Sequence, residues 1–466
     1  MDSDRVLTQV KVVGLLGRFE HTVDFPASDE FVIIHGPNGV GKTMLLDLLS
    51  AIAWPVDFST ITRVPFDSMC LRFDDGTALT VDKPPRKEQA DERADGSSAT
   101  DTDTGPVFPF SFTLEHRSSP DPLTWSPPRI PPRADTARLN ALLRPSRSKR
   151  TATEQNLRNL LVHTPSDLNA QVLETLALGE GDLADSIKDW LTGRMPAELK
   201  EVLAGVLVHS IDTHRLLGLS PADERLVHTR QRPSSTKVEE FAKDLARRLA
   251  KGLEENSRTS QELDRTYPQR LLENPVVDVS EQKIRERYDA QNELRRQLGD
   301  ISLVDERTSV IEIPERMEPW QRAVLWTYLR DTEAKLATFQ DILDRVSRLR
   351  EIVNKRFLFK HLEIDRERGF RLVSDDGRDL DLASLSSGEQ HELVLAYDLL
   401  FNVPSGALVL IDEPEISLHV SWQKGFIADL RTIASLVKFR TMVATHSPQI
   451  AGKWADRMVI LGPTAE

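Results

Sequence analysis

Eight consecutive residues, Gly36-Pro37-Asn38-Gly39-Val40-Gly41-Lys42-Thr43, constrain this chain more than any others. Their glycines let successive backbone N–H groups turn inward into a concave anion site. A helix that starts where the loop ends adds its positive N-terminal end. A lysine and a hydroxyl in the last two places complete G-x-x-x-x-G-K-[ST]. In that pattern Lys42 reaches the β- and γ-phosphates of a nucleotide and Thr43 places its hydroxyl on Mg²⁺. The flanks supply what the pattern needs. The apolar run from Glu30 to His35 predicts a strand. Beyond the loop, Met44, Leu45, Leu48, Leu49 and Ile52 recur at helical spacing until Trp54-Pro55 ends the helix. Strand, glycine loop and helix in succession make this an α/β chain.

A second element is Leu408-Val409-Leu410-Ile411-Asp412-Glu413, an apolar strand ending in two carboxylates. A buried strand would deliver Asp412 rigidly to a metal shared with Thr43. Glu413, one step on, can polarise an attacking water, because phosphoryl transfer is mostly positioning and charge stabilisation. Two acids after an apolar run are common by themselves; downstream of a phosphate loop they are informative. Upstream of this strand stands Leu385-Ser386-Ser387-Gly388-Glu389-Gln390, which in isolation would be a serine cap with an acidic first turn. Ser417-Leu418-His419 follows Glu413, and the predicted strand Thr441 to Ala444 leads into Thr445-His446-Ser447-Pro448.

A length of 466 residues accommodates one large α/β domain with an insertion, or two domains. Hydrophobic residues are 39% and charged residues 29%, an ordinary soluble balance. No apolar run approaches the roughly 18 residues of a membrane helix, and the acidic, polar start is unlike a signal peptide. The expected location is cytoplasmic, with no membrane partner. One cysteine, Cys70, excludes an intrachain disulfide and a cysteine-based zinc cage and fits a reducing compartment. A net charge of −13 argues against indiscriminate coating of DNA, which is driven by cations neutralising phosphates. A local basic patch stays open as a DNA contact. The basic run from Arg144 to Arg150, set among proline and serine, reads as a solvated loop.

Along the chain, strands are expected at Val6 to Val13 and Thr22 to Phe25, with a hairpin through Asp74-Asp75-Gly76 joining Met69–Phe73 to Ala78–Val81. The polar segment 83–106 reads as a flexible loop. Phe108 to Leu114 resumes a strand, and Thr136 to Leu203 looks mainly helical, with Asp182–Leu191 and Ala197–Ala204 the clearer pieces. Val206 to Ile211 reads as a buried strand. Thr236 to Leu298, interrupted by Pro268 and Pro275, and Glu318 to Lys355 read as amphipathic helical stretches. Phe357–Ile364 and Phe370–Val373 are further strands, and helices are expected at Glu389–Phe401 and Val420–Leu436. No internal repeat is present. The division expected is 1–220, 221–356 as a helical insertion, and 357–466.

With loop, signature, Asp-Glu strand and histidine in this order, both ends of the chain resemble the ABC/SMC superfamily. The resemblance implies an ABC-type P-loop ATPase head with a mixed sheet, interrupted by a short coiled-coil-like insertion. That insertion is too short for the long arms of chromosome-organising members. It implies ATP and Mg²⁺ as cofactors, held by Gly36 through Thr43, with Thr43 and Asp412 on the metal and Lys42, Glu413 and His446 catalytic. Ser386, Ser387, Gly388 and Glu389 would complete the ATP site of a second copy, so the chain's first partner is itself. Ser417 to His419 match the loop that crosses such a dimer. One departure stands out. The strand Val206–Ile211 leads into Asp212-Thr213-His214-Arg215 without the family's Q-loop glutamine, so His214 or another polar group assists the metal, or the contact is absent. Arg18 is either a nucleotide contact or a surface arginine.

The phrasing Ser386–Glu392, Asp412–His419 and Thr445–Pro448 is similar to the OLD-allied stand-alone ATPases, among them the ATPase subunits of antiphage systems such as PtuA of Septu and AriA of PARIS. That likeness implies a defence ATPase that holds and releases a separate effector, a nuclease or toxin. After His446 no room is expected for the Toprim nuclease of OLD enzymes. The alternative is a RecF-like repair or chromosome-maintenance ATPase that binds DNA directly. A transporter motor would need a Q-loop and a far shorter chain.

Overall fold

A computed structural model of the chain describes residues 5–25, 31–83, 110–116, 121–128, 191–212, 236–273, 278–304, 313–314, 316–416, 418 and 420–462. The expected loop beyond Lys83, the helix at 182–190, the basic run 144–150, His214, Ser417 and His419 lie outside the described residues. The chain divides into two compact units. One is Met1–Ile211 with Pro404–Glu415 and Lys438–Glu466; the other is Asp212–Val403 with Ile416–Val437.

In chain order the first unit opens with β1 (Leu7–Leu15), β2 (Phe19–Asp24), β3 (Phe31–His35), α1 (Lys42–Ile52) and α2 (Phe58–Arg63). It continues with β4 (Ser68–Phe73), β5 (Ala78–Asp82), β6 (Ser111–Glu115), β7 (Leu123–Trp125), α3 (Ala197–Gly205) and β8 (Val208–Asp212). The second unit then supplies α4 (Lys237–Glu273), α5 (Glu281–Gly299), α6 (Pro319–Ala337), α7 (Gln340–Arg356), β9 (Lys360–Asp365), β10 (Gly369–Ser374), β11 (Asp379–Leu380) and α8 (Ser387–Phe401). The last elements are β12 (Leu408–Asp412), α9 (Val420–Val437), β13 (Arg440–Thr445) and β14 (Met458–Ile460).

Two sheets build the first unit. One runs β2-β1-β4-β5-β6-β7 and is antiparallel throughout; the other has the order β14-β3-β13-β12-β8. In the second sheet β3, β13, β12 and β14 pair in parallel. Val32, Ile33 and Ile34, then Val409, Leu410 and Ile411, then Met442, Val443 and Ala444 are buried in succession. Strands covered on both faces read as continuous apolar runs, as these do. Helix α1 buries Leu45, Leu48, Leu49 and Ile52 in one cluster with Val10, Val12, Leu71 and Leu79 of the antiparallel sheet and Ile34, Leu410 and Met442 of the parallel one. An apolar surface on nearly every side of α1 is what fixes it between two sheets.

The second unit is helical around a three-stranded antiparallel sheet, β11-β10-β9. At 37 residues, α4 extends about 55 Å at the helical rise per residue. It passes through Pro268, where the sequence suggests an interruption. A proline removes one backbone donor from the ladder, the one that would reach the Asp264 carbonyl, and side chains bond the carbonyls just before it. Thr266 Oγ1 donates to the Glu262 and Leu263 oxygens, and Arg270 Nη2 donates to Leu263 O at 2.7 Å. The stretch expected at Glu318 to Lys355 is two helices, α6 and α7, separated at Thr338 and Phe339. At its root α4 lies directly on β10: a Cβ at Gly369 would come within 1.9 Å of the Ala242 carbonyl oxygen. Arg356 at the end of α7 pairs with Glu392 of α8 and Asp429 of α9, tying three helices through one buried cation.

Candidate active site

The loop after β3 takes the shape its composition requires. Gly39 and Gly41 adopt φ of 85° and 90°, the left-handed region open to glycine at little cost. At Gly41 a Cβ would also meet Leu15 Cδ2 at 2.7 Å, so no other residue fits there without displacement. Gly41 is the N-cap of α1, and no side chain caps this helix start. The loop is braced from β2, where His21, almost fully buried, donates from Nε2 to the Val40 carbonyl at 2.8 Å.

Lys42 is 5% exposed. Its Nζ donates to Gly36 O at 2.9 Å and to Pro37 O at 3.4 Å and touches the His446 ring. Burial lowers the Lys42 pKa, against the opposing pull of Glu413, Asp412 and Glu415. An anion at the loop would oppose that shift, because it favours the charged amine. Thr43 Oγ1 donates to Asp412 Oδ2 at 2.7 Å although 369 positions separate the two residues. The pKa of Asp412 is raised, first by burial and then by the charges of Glu413 and Asp47, which outweigh Thr43 and Lys42. A desolvated carboxylate beside a hydroxyl, under excess negative charge, is a donor set of hard oxygens suited to a divalent cation such as Mg²⁺.

Glu413 follows with φ of 45°, an uncommon conformation for a side chain of its type. Its N–H donates to Ala444 O at 2.8 Å, which fixes the turn at the end of β12. Its Oε1 stands 3.3 Å from His446 Nε2, so the ring nitrogen lies between Glu413 and Lys42. From the neighbouring strand, His35 donates through Nδ1 to Thr445 O at 3.1 Å. Lys42, Thr43, Asp412, Glu413 and His446 therefore converge in one unit. One residue in the same place has no role assigned by the sequence, although it lies within the Asp412–His419 phrasing. Glu415 Oε1 accepts from Thr445 Oγ1 at 2.8 Å, His446 N at 2.6 Å and Ser447 N at 3.0 Å. Its place in that phrasing, two residues after Glu413, is the signal that could have flagged it.

Ser386 lies in the second unit, at the start of α8. Its hydroxyl accepts from Glu389 N at 3.4 Å, and Glu389 Oε2 accepts from Ser386 N at 2.9 Å, closing a capping box. Burial pushes the Glu389 pKa up, but Lys360 and the Ser386 donors outweigh it and hold the carboxyl below its ordinary value. Ser387 and Gly388 form the first turn of α8. Arg18 is exposed, its guanidinium 4.5 Å over the Phe19 ring, and Phe19 stacks on His21.

A parallel sheet that carries a phosphate loop after β3 and an Asp-Glu pair after β12, with β13 between them, decides the fold. It is a mixed α/β fold of the P-loop type. Residues 239–451 match a family model described as "AAA domain, putative AbiEii toxin, Type IV TA system"; the matched span includes Asp412 and His446 and leaves out Lys42. A curated relative, "Retron Ec83 probable ATPase" of Escherichia coli, is 33% identical over 103 residues. That match takes in 20% of this chain, and the chain spans 19% of the relative's length. Among solved structures, an Smc head domain with an extended coiled coil, bound to the C-terminal domain of ScpA and derived from Pyrococcus furiosus, aligns over 98% of this chain and 93% of its own, at 12% identity and a TM-score of 0.33. The SMC head domain from Thermotoga maritima aligns over 98% and 94% at 10% identity and a TM-score of 0.31. Among the described residues, no helix is long and apolar enough to cross a membrane.

Proposed function

We propose that this chain binds and hydrolyses ATP, using Lys42 on the β- and γ-phosphates and the Thr43–Asp412 pair to hold Mg²⁺. When bound, the metal neutralises charge that develops on the phosphate oxygens. Glu413 would align the attacking water and take up its proton as the new P–O bond forms and the bond to the ADP oxygen breaks, while His446, beside Glu413 and Lys42, would contact the γ-phosphate. The observation that carries this reading is the Thr43–Asp412 hydrogen bond of 2.7 Å, which joins the phosphate loop to the Asp-Glu strand end. Measured turnover of Mg-ATP tests it. Glu413→Gln should bind ATP and fail to hydrolyse it; unchanged turnover refutes the assignment.

The Ser386–Glu389 turn of a second copy completes the pocket in this proposal, so that ATP holds two heads together and hydrolysis releases them. The two defective chains Ser386→Arg and Lys42→Ala, inactive alone, should regain activity when mixed, because one composite site in the mixed dimer is intact. No recovery in verified mixed dimers counts against shared sites.

We further infer that this cycle serves a defence system in the cytoplasm, with a nuclease or toxin as the separate effector. Support comes from the retron name of the curated relative, from the toxin–antitoxin description of the matched family, and from the likeness of Ser386–Glu392, Asp412–His419 and Thr445–Pro448 to OLD-allied ATPases such as PtuA and AriA. Purification of the tagged chain from its own cells tests the assignment. A copurifying nuclease or toxin supports it. Salt-sensitive retention of DNA with no protein partner favours a RecF-like role instead.

A further inference from the structure

We propose that Glu415 is a positioning residue for hydrolysis, holding the peptide of His446 so that its ring stays against Lys42 and Glu413; this rests on the ATPase reading above. Strand β13 pairs with β12 as far as Asp412 beside Ala444 and with β3 as far as Thr445 beside His35. Beyond those positions the ladder stops, and the N–H groups of His446 and Ser447 have no strand to bond. A histidine carried there would wander with its loop.

Glu415 takes over where the ladder ends. The left-handed φ of Glu413 reverses the chain after β12, and the short turn Pro414–Ile416 brings Glu415 back toward the end of β13. One carboxylate oxygen then accepts three hydrogen bonds, from the Thr445 hydroxyl and the two N–H groups of His446 and Ser447. Thr445 Oγ1 also accepts from Ser447 N at 2.9 Å, so the three residues form one closed network. An anionic acceptor suits three donors, since charge-assisted bonds are shorter and stronger than neutral ones. The side chain that this network presents is the His446 ring, which contacts Lys42 and stands 3.3 Å from Glu413. Glu415 thus acts through His446 and not on the nucleotide.

The test is a double-mutant cycle on the full chain, with Mg-ATP turnover and binding of a fluorescent ATP analogue measured together. Glu415→Leu should lower kcat by about 100-fold, the usual consequence of misplacing a reacting group by about 1 Å, and leave nucleotide affinity unchanged. Glu415→Gln keeps an acceptor oxygen and should stay within about 10-fold of the parent, the milder end of losing an orienting partner. Adding Glu415→Leu to His446→Ala should cost nothing beyond His446→Ala alone, because coupled residues are non-additive. Additive losses, an unchanged kcat in Glu415→Leu, or a glutamine variant as impaired as the leucine one overturns the proposal. If Glu415→Leu fails to fold, Thr445→Val decides: it should reduce kcat several-fold in the parent and not at all beside His446→Ala, and any other pattern overturns the proposal. A parent chain without turnover, or one indifferent to Glu413→Gln, refutes the ATPase reading; additivity in an active chain refutes only the role of Glu415.

Discussion

Replacing Glu413 by glycine should yield a chain that is more stable and cannot hydrolyse ATP, whereas Glu413→Gln should be inactive without the gain. Glu413 holds φ at 45°. Left-handed backbone costs an ordinary L-residue about 1–2 kcal/mol. Glycine escapes that cost but loses about 0.5–1 kcal/mol more than other residues to the freedom of its unfolded chain. Taking the middle of each range, the net gain of Glu413→Gly over Glu413→Gln is about 0.75 kcal/mol. Both variants delete the same charge beside Asp412, so relief of like-charge repulsion cancels from the comparison. Urea unfolding of the nucleotide-free chain measures the difference, read on the transition that moves when Mg-ATP is added. For a slope near 2 kcal/mol/M, the glycine midpoint should lie about 0.3–0.5 M above that of glutamine. A glycine variant no more stable than the glutamine one refutes the reasoning: the left-handed turn at Glu413 would then cost nothing. Strain kept at a reacting residue is a familiar exchange of stability for activity.

Lys42→Ala should weaken ATP binding by about 10- to 100-fold, the loss expected for charge-assisted hydrogen bonds to phosphate, and equilibrium binding with a fluorescent analogue checks it. Asp412→Asn tests the raised pKa of Asp412, whose causes are burial first and then Glu413 and Asp47. A raised folded-state pKa stabilises the fold below the unfolded carboxylate value and loses that contribution as pH climbs through the folded value. The nucleotide-free parent should therefore lose stability across that window, and Asp412→Asn should not. Identical urea-unfolding profiles against pH for the two chains would show that Asp412 is not desolvated in the fold.

Much of the site was legible because its parts are local. The phosphate loop declares itself through glycine spacing, and the structure gives that spacing its reason in the positive φ of Gly39 and Gly41. The buried strands at Leu408–Asp412 and Arg440–Thr445 and the helix after the loop were visible as apolar runs and helical periodicity. Less was legible in the helical unit. Pro268 reads as a break, yet the helix continues through it, with Thr266 and Arg270 bonding the nearby Glu262 and Leu263 carbonyls. β14, only three residues long, is too short for any periodicity, and pairing with β3 is what makes it a strand.

The residue order thus set which groups are available: a glycine loop ending in Lys42 and Thr43, an Asp412–Glu413 pair after an apolar run, and a histidine at 446, each encoded within a few neighbouring positions. Tertiary structure decided where they meet. Thr43 reaches Asp412 only because α1 lies against the parallel sheet, and Glu415 meets His446 only because β12 and β13 end side by side. Backbone spacing is written in sequence, whereas a hydrogen bond between residues tens or hundreds of positions apart exists only after the sheet has paired.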